Sequence, residues 1–498
     1  MRIAGSLALI VAGLALGAAA WAQRPAPFVL RVADGIDNID PALTWSWNAE
    51  YATCLKLVNI DDRGNLVPEA AAFPRISKDG RTYTFTVKRG FRFYPWGGPL
   101  TAAAFAWEIR RVISPRMSRG APTYLQDLVG APRAKGMKLT LKLSQSAPDL
   151  LARLAMPFFC AVPDGTPIEP VGVGSPLPSA GPYYFAEWKG PYGGALLRRN
   201  PYYHGSRPHR PDEIAIRSAG RMTPNQQQAA VEAGALDVGT PTDPTDLAVR
   251  YGVNRGRFRV EPLLAVRWLQ FDPQSAVFRD NPELRRAIGY ALDRRTLERT
   301  WGPFAGRPTA RLIPPGVPGF AKPAPYPLDG PDLATARAIA QGHLPDHAVT
   351  LGVGFNRQTI GAELKRELDA IGLDVDVRVI PFSCFVGCEW DMRIGGWRVD
   401  YFDPQAAFAV FETPGDVWPA LDPPWRARLA STERTSESAR LQAFARLDYD
   451  LMQTDPPVIP FMSDNARVFL SARVHCFKWN RFYGVDLAAL CTSATAGK

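Results

Sequence analysis

Few residues of this chain are placed to do covalent or metal chemistry. Its histidines are His204, His209, His343, His347 and His475. His343 and His347 stand four apart, the spacing that sets two imidazoles on one helix face for zinc, but Pro345 between them breaks such a helix. His475 and Cys476 are adjacent, so in a strand they point to opposite faces. The cysteines are Cys54, Cys160, Cys384, Cys388, Cys476 and Cys491. They form no paired C-x-x-C units, and no histidine lies near Cys384 or Cys388, so zinc is the weaker reading. Disulfide connectivity is not readable from the spacing, although neighbourhood favours local bridges Cys384–Cys388 and Cys476–Cys491. G-x-S-x-G, G-x-x-x-x-G-K-[ST] and G-x-G-x-x-G are all missing, and no nucleophile has a base beside it in a recognisable pattern. A hydrolase reading therefore lacks its machinery, and no enzyme activity, cofactor or metal is expected. One segment stands apart, Gly395-Gly-Trp-Arg-Val-Asp-Tyr-Phe-Asp-Pro404. Taken alone, its Asp400 reads as a turn or capping residue ahead of Pro404, and Arg398 as a salt-bridge partner.

The elements that must carry these residues alternate between strand and helix. Val349–Val353, a helix over 359–371 closed by Gly372, Asp374–Val379 and Asp391–Gly395 read as a compact β-α-β-β unit ending in that segment. Earlier, Phe28–Val32 is a strand, Thr82–Val87 has strand propensity throughout, and Lys138–Leu143 alternates cleanly. Thr101 is an N-cap for a helix over Ala102–Val112. Tyr183–Trp188 and Ala195–Arg199 read as a strand and its return, followed by a strand at Glu213–Arg217. A helix spans 225–233, Asn281-Pro282 opens a long helix through Leu292, and another runs from about 433 to 452. Strands alternating with helices over two separate stretches argue for two α/β lobes.

The chain has 498 residues, 46% of them hydrophobic, with a net charge of +10. That composition excludes wholesale disorder and collagen-like repeats. No apolar run approaches a membrane span outside the N-terminus. There, Arg2, an apolar core over Leu7–Leu16 and the small residues Ala20 and Ala22 read as a signal peptide cleaved after Ala22. The apolar core is short for an anchor helix. Export to an oxidising compartment permits disulfides among the six cysteines. The excess positive charge does not point to nucleic acid. Its densest stretch, Arg198–Arg221, has six arginines interrupted by Asp212, Glu213 and several prolines, and it reads as solvated surface.

A series of phrases recurs in order along the chain: Asp79-Gly-Arg-Thr-Tyr-Thr-Phe85, Gly90-Phe-Arg-Phe93, Pro99-Leu-Thr-Ala102, Ala180-Gly-Pro-Tyr183, Asn200-Pro-Tyr202, Phe278-Arg-Asp-Asn-Pro-Glu-Leu-Arg-Arg-Ala-Ile-Gly-Tyr-Ala-Leu-Asp293 and Gly395–Pro404. The ordered set, from about 28 to 465, resembles the extracellular solute-binding proteins of the dipeptide, oligopeptide and nickel type (family 5) that serve ABC importers. Ala180 replaces the usual Thr, Arg286 a Gln, and Ala103 an Asp; these are scaffold positions.

The resemblance implies an α/β, two-lobed periplasmic-binding-protein fold of the large type II kind. Lobe I would hold 28–265 plus 466–498, with an inserted subdomain at about 55–178, and lobe II 266–465. It implies a periplasmic, monomeric protein that encloses a peptide or other small-molecule solute and delivers it to an ABC permease and ATPase complex in the inner membrane. A nickel complex, oligosaccharide, opine or other cationic small molecule is the alternative solute. The histidines lie away from the cleft phrases, which leaves nickel unsupported. A receptor or chaperone role on the same fold is a further reading. By the same resemblance Asp400 takes the ligand ammonium, and the main chain of Gly396, Trp397 and Arg398 pairs with the peptide backbone, with Tyr401 beside them. Arg398 could also meet a ligand carboxylate. Trp45, Trp47 and Asn48, after Asp40-Pro41 where the family has its first cleft loop, either wall the pocket or pack inside lobe I.

Overall fold

The computed structural model describes residues 27–117, 121–381, 390–412, 421–435 and 437–493. An 11-stranded mixed sheet runs through both halves of the molecule. In one half, Val29–Asp34 is flanked in parallel by Glu213–Ser218 and Val238–Gly239, and the antiparallel strands Ala195–Arg199 and Tyr183–Trp188 extend that edge. In the other, Met392–Arg398 pairs antiparallel with Phe258–Phe271 and in parallel with Val349–Val353, which is followed by Val375–Val379. The halves are joined by two long strands, Phe258–Phe271 and Val458–Leu470. These run antiparallel from Phe258↔Phe469 to Gln270↔Val458, with the ladder interrupted between Pro262 and Val266.

A separate four-stranded sheet lies within the first half of the sequence. Its strands form because their apolar residues alternate. Thr82–Thr86 buries Tyr83 and Phe85, and Lys138–Lys142 buries Leu139 and Leu141. Helix Ala102–Val112 covers this sheet with Phe105, Ile109 and Val112, and Thr101 Oγ1 caps it by accepting from the Ala103 amide. The same helix buries Arg111, whose guanidinium reaches Asp40 at 2.5 Å and Glu108 at 2.6 Å. Arg111 thereby fixes the inserted unit to the loop that leads into Trp45.

The helix opened by Asn281 ends within one residue of the sequence reading, whereas the one expected over 433–452 is shifted. The helix opened by Asn281 stops at Ala291, and Asp293 caps a new one, Arg294–Trp301, by accepting from the Thr296 amide at 3.0 Å. The expected helix over 433–452 is Glu437–Thr454, preceded by a separate helix Pro423–Glu433 that starts at a proline pair.

Cys476 pairs with Cys491, and Cys54 with Cys160 across 106 residues. Cys384 and Cys388 lie outside the described residues. Among the described residues no helix is long and apolar enough to cross a membrane.

Candidate ligand-binding site

A cavity of about 600 Å³ opens between the two halves. The stretch from 124 to 153 contributes Tyr124, Asp127, Asp149 and Arg153. The strand segment contributes Trp397, Asp400 and Tyr401. Gln405, Glu412 and Glu433 close it from the second half, and Trp45 from the first.

Asp400 lies just past strand Met392–Arg398, after Val399, and is 5% exposed. Tyr124 Oη donates to its Oδ2 at 2.6 Å, and no other hydrogen bond to the carboxylate is found among the described residues. Burial is the main cause that pushes its pKa up to about 7, against the opposing influence of the Tyr124 hydroxyl and the Arg398 charge. Near neutral pH this carboxylate lacks the strong partner that its burial calls for. A cation entering the cavity would supply one.

The neighbouring charges are arranged differently. Arg153 forks onto Asp127 at 2.9 and 3.0 Å, meets Asp149 at 3.0 Å and donates to the Tyr124 carbonyl at 2.5 Å. Its guanidinium is committed to these two aspartates and holds Tyr124 in place. Asp403 accepts from Arg440 at 2.6 and 2.8 Å and caps the following turn through the Gln405 amide at 2.9 Å. Asp403 is thus the turn residue, whereas Asp400 caps nothing.

The other residues singled out from sequence separate into two groups. Trp397 lines the cavity and donates its Nε1 proton to the Ala406 carbonyl at 2.9 Å. Tyr401 lines it with its ring edge-on to Tyr124, centroids 6.0 Å apart. Trp45 is 45% exposed, lines the cavity, and rests edge-on against Phe158 at 5.1 Å. Trp47 is buried behind it, between Phe158 and Phe482, and does not reach the lining. Asn48 presses against Gly484, whose φ of +90° brings the chain so close that an added Cβ would lie 2.5 Å from Asn48 Oδ1. Arg398 is not a lining residue, and its guanidinium donates to the Phe482 carbonyl. Gly396 is paired to Arg267 in the ladder, where an added Cβ would meet the Val266 carbonyl at 2.8 Å. The ladder on the opposite edge of that strand, to Val349–Val353, ends at Arg393.

Tyr124, Arg153, Gln405, Glu412 and Glu433 escaped the sequence reading. None sits in a recognisable phrase, and only the fold brings them to Asp400. One cluster elsewhere has ligand atoms close enough for a metal, Glu50 with Cys54 and Cys160. Its two sulfurs are bonded to each other, so no thiolate is offered.

Two sheet halves linked by paired crossing strands, with a polar cavity between them, define the two-lobed periplasmic-binding-protein fold. The chain belongs to the bacterial extracellular solute-binding proteins of family 5, whose middle region it matches over residues 65–418. It is 23% identical over 369 residues to the oligopeptide-binding protein OppA of Bacillus subtilis (strain 168), a match covering 66% of each chain. Of other curated relatives the chain spans between 54% and 73% of the length. Among solved structures, clavulanic acid biosynthesis oligopeptide binding protein 2 superposes with a TM-score of 0.80 at 20% identity, covering 94% of this chain and 95% of that one. The periplasmic binding protein DppA from Helicobacter pylori, in complex with the peptide STSA, gives 0.74 at 18% identity, covering 92% and 98%.

Proposed function

We propose that this chain is the solute-binding component of an ABC importer. It encloses a peptide-like solute with a free amino terminus and presents it to a membrane permease and its ATPase, with no covalent step. The observation that carries this is Asp400, a buried carboxylate facing a cavity with only a neutral tyrosine hydroxyl bonded to it. A solute ammonium replaces a weak partner with a charge-assisted one in a place of low dielectric. The strand edge beyond Arg393 suits main-chain pairing with an extended peptide, as in β-augmentation. Relatives named for oligopeptides, and the DppA complex with a peptide, support the solute class.

In this reading the lobes are 28–265 with 466–498, and 266–465, and the inserted subdomain supplies Tyr124 to the site. The protein acts in the periplasm as a monomer, after removal of residues 1–22. Mass spectrometry of the protein purified without added solute, followed by calorimetry with a free-amine peptide and its N-acetylated form, tests the proposal. Binding of the free amine with at least tenfold loss on acetylation is expected, tenfold being about 1.4 kcal/mol. A bound sugar or metal, or indifference to acetylation, overturns it.

A further inference from the structure

We infer that the preferred solute carries a second positive charge, taken by Glu412 and Glu433 in the same cavity, so that peptides with a lysine or arginine side chain are favoured over neutral ones. This rests on the reading of the cavity as the solute site.

The lining supplies carboxylates from Asp127, Asp149, Asp400, Glu412 and Glu433, against guanidiniums from Arg153 and Arg434. These charges do not simply cancel. Arg153 is spent on Asp127 and Asp149, and Arg440 behind the wall is spent on Asp403. Arg434 is exposed at the rim and forms no ion pair among the described residues. Arg398 acts on Asp400 only at a distance, its guanidinium being turned to the Phe482 carbonyl, so neither Asp400 nor the glutamate pair has an ion-pair partner among the described residues.

Glu433 is held by a neutral group. Gln405 Nε2 donates to Glu433 Oε1 at 2.6 Å, and Glu412, itself exposed, lines the same cavity. An amide satisfies geometry but removes no charge. Glu433 is pushed up to about 8, by burial first and then by the negative charges of Glu412 and Asp149, with Arg440 and Arg153 opposing. A cation at this point turns mutual repulsion into attraction.

A separate observation within the cavity points to a cationic occupant. Asp400 is 95% buried by its 5% exposure, its Oδ1 has no hydrogen-bond partner among the described residues, and it belongs to a different element. Trp45 adds a half-exposed indole to the wall, a surface that suits the aliphatic stem and head of a basic side chain. One ammonium satisfies Asp400, and a solute with two satisfies both acidic sites.

The test uses calorimetry on the full exported chain with tripeptides carrying lysine at the first, second or third position, each against its norleucine isostere. At least one lysine peptide is expected to bind roughly tenfold tighter than its isostere. The double variant Glu412→Gln/Glu433→Gln should erase that preference, its intact fold being checked by an unchanged circular-dichroism spectrum. Equal binding of lysine and norleucine peptides, both still dependent on a free amino terminus, overturns the second charge and leaves the peptide reading standing. Preference retained in the double variant overturns the assignment to these glutamates. Binding of none of the peptides sinks the peptide reading and this inference together.

Discussion

Asp400 and Asp403 lie on one short segment and are similarly buried, at 5% and 8% exposure, yet they are partnered in opposite ways. Asp403 receives both arms of Arg440 and a backbone amide. Asp400 receives one phenol. Burial alone would rank them as equals. The partner distinguishes them: a carboxylate that the chain itself neutralises is a strut, and one left beside a neutral hydroxyl is held ready for something that arrives. The same contrast separates Asp127 and Asp149, chelated by Arg153, from Glu433, held by an amide.

The contrast is sharpest when each aspartate is altered in turn. Asp400→Asn should weaken a free-amine peptide by at least about 100-fold in calorimetry, since it removes the charge opposite an enclosed ammonium. The variant keeps its fold. In the empty protein the raised pKa means that the folded state holds its proton more tightly than the unfolded one. The wild type therefore loses stability as pH rises from about 4 to 7, and Asp400→Asn should gain on the order of 2–4 kcal/mol over it in urea titrations at pH 8. An unchanged affinity would remove Asp400 from the site.

Asp403→Ala should do the reverse, costing about 3–5 kcal/mol of stability by stranding Arg440, while the protein that remains folded binds within a few-fold of wild type. A large loss of affinity without loss of stability would erase the distinction drawn between the two residues.

Smaller effects follow from ionisation. Affinity for a free-amine peptide should rise about tenfold per pH unit from 5 to 7, as Asp400 gives up its proton, and level off above that. A flat profile over that range would mean that Asp400 is already charged in the empty cavity. The least effect is expected of Tyr124→Phe. Without the hydroxyl that favours the ionised form, the midpoint of the pH profile moves upward, and affinity at pH 7 falls by a few-fold, roughly 1 kcal/mol for the lost hydrogen bond. A downward shift of the midpoint would contradict the role given to Tyr124.

The sequence revealed what is local. Thr101 and the apolar stripe behind it delimit helix Ala102–Val112 to the residue, and the phrase around Trp397, Asp400 and Tyr401 led to three residues that do line the cavity. Its other suggestions were decided by packing that no short pattern carries. Trp45 faces the cavity while Trp47, two residues on, faces the core; Asn48 turns to Gly484, and Arg398 to the Phe482 carbonyl. Tyr124 stands 276 residues from Asp400, and Cys54 stands 106 from Cys160. Such pairs exist only once the sheets have formed. The end of the Asn281 helix near Leu292 was legible, but the short helix Arg294–Trp301 after it was not drawn, although Asp293 and Thr296 form its capping pair.

The crossing strands have a mechanical consequence. Strands hydrogen-bonded to each other along both sides of a gap resist sliding and resist being drawn apart, because either motion would break several ladder bonds together. Bending at the interruption between Pro262 and Val266 breaks none. The freedom left to the halves is then close to a single angle, and the Tyr124–Asp400 bond is made across it. An arriving ammonium therefore competes with Tyr124 for a carboxylate that bridges the two halves, so that binding and one contact across the cavity depend on the same group.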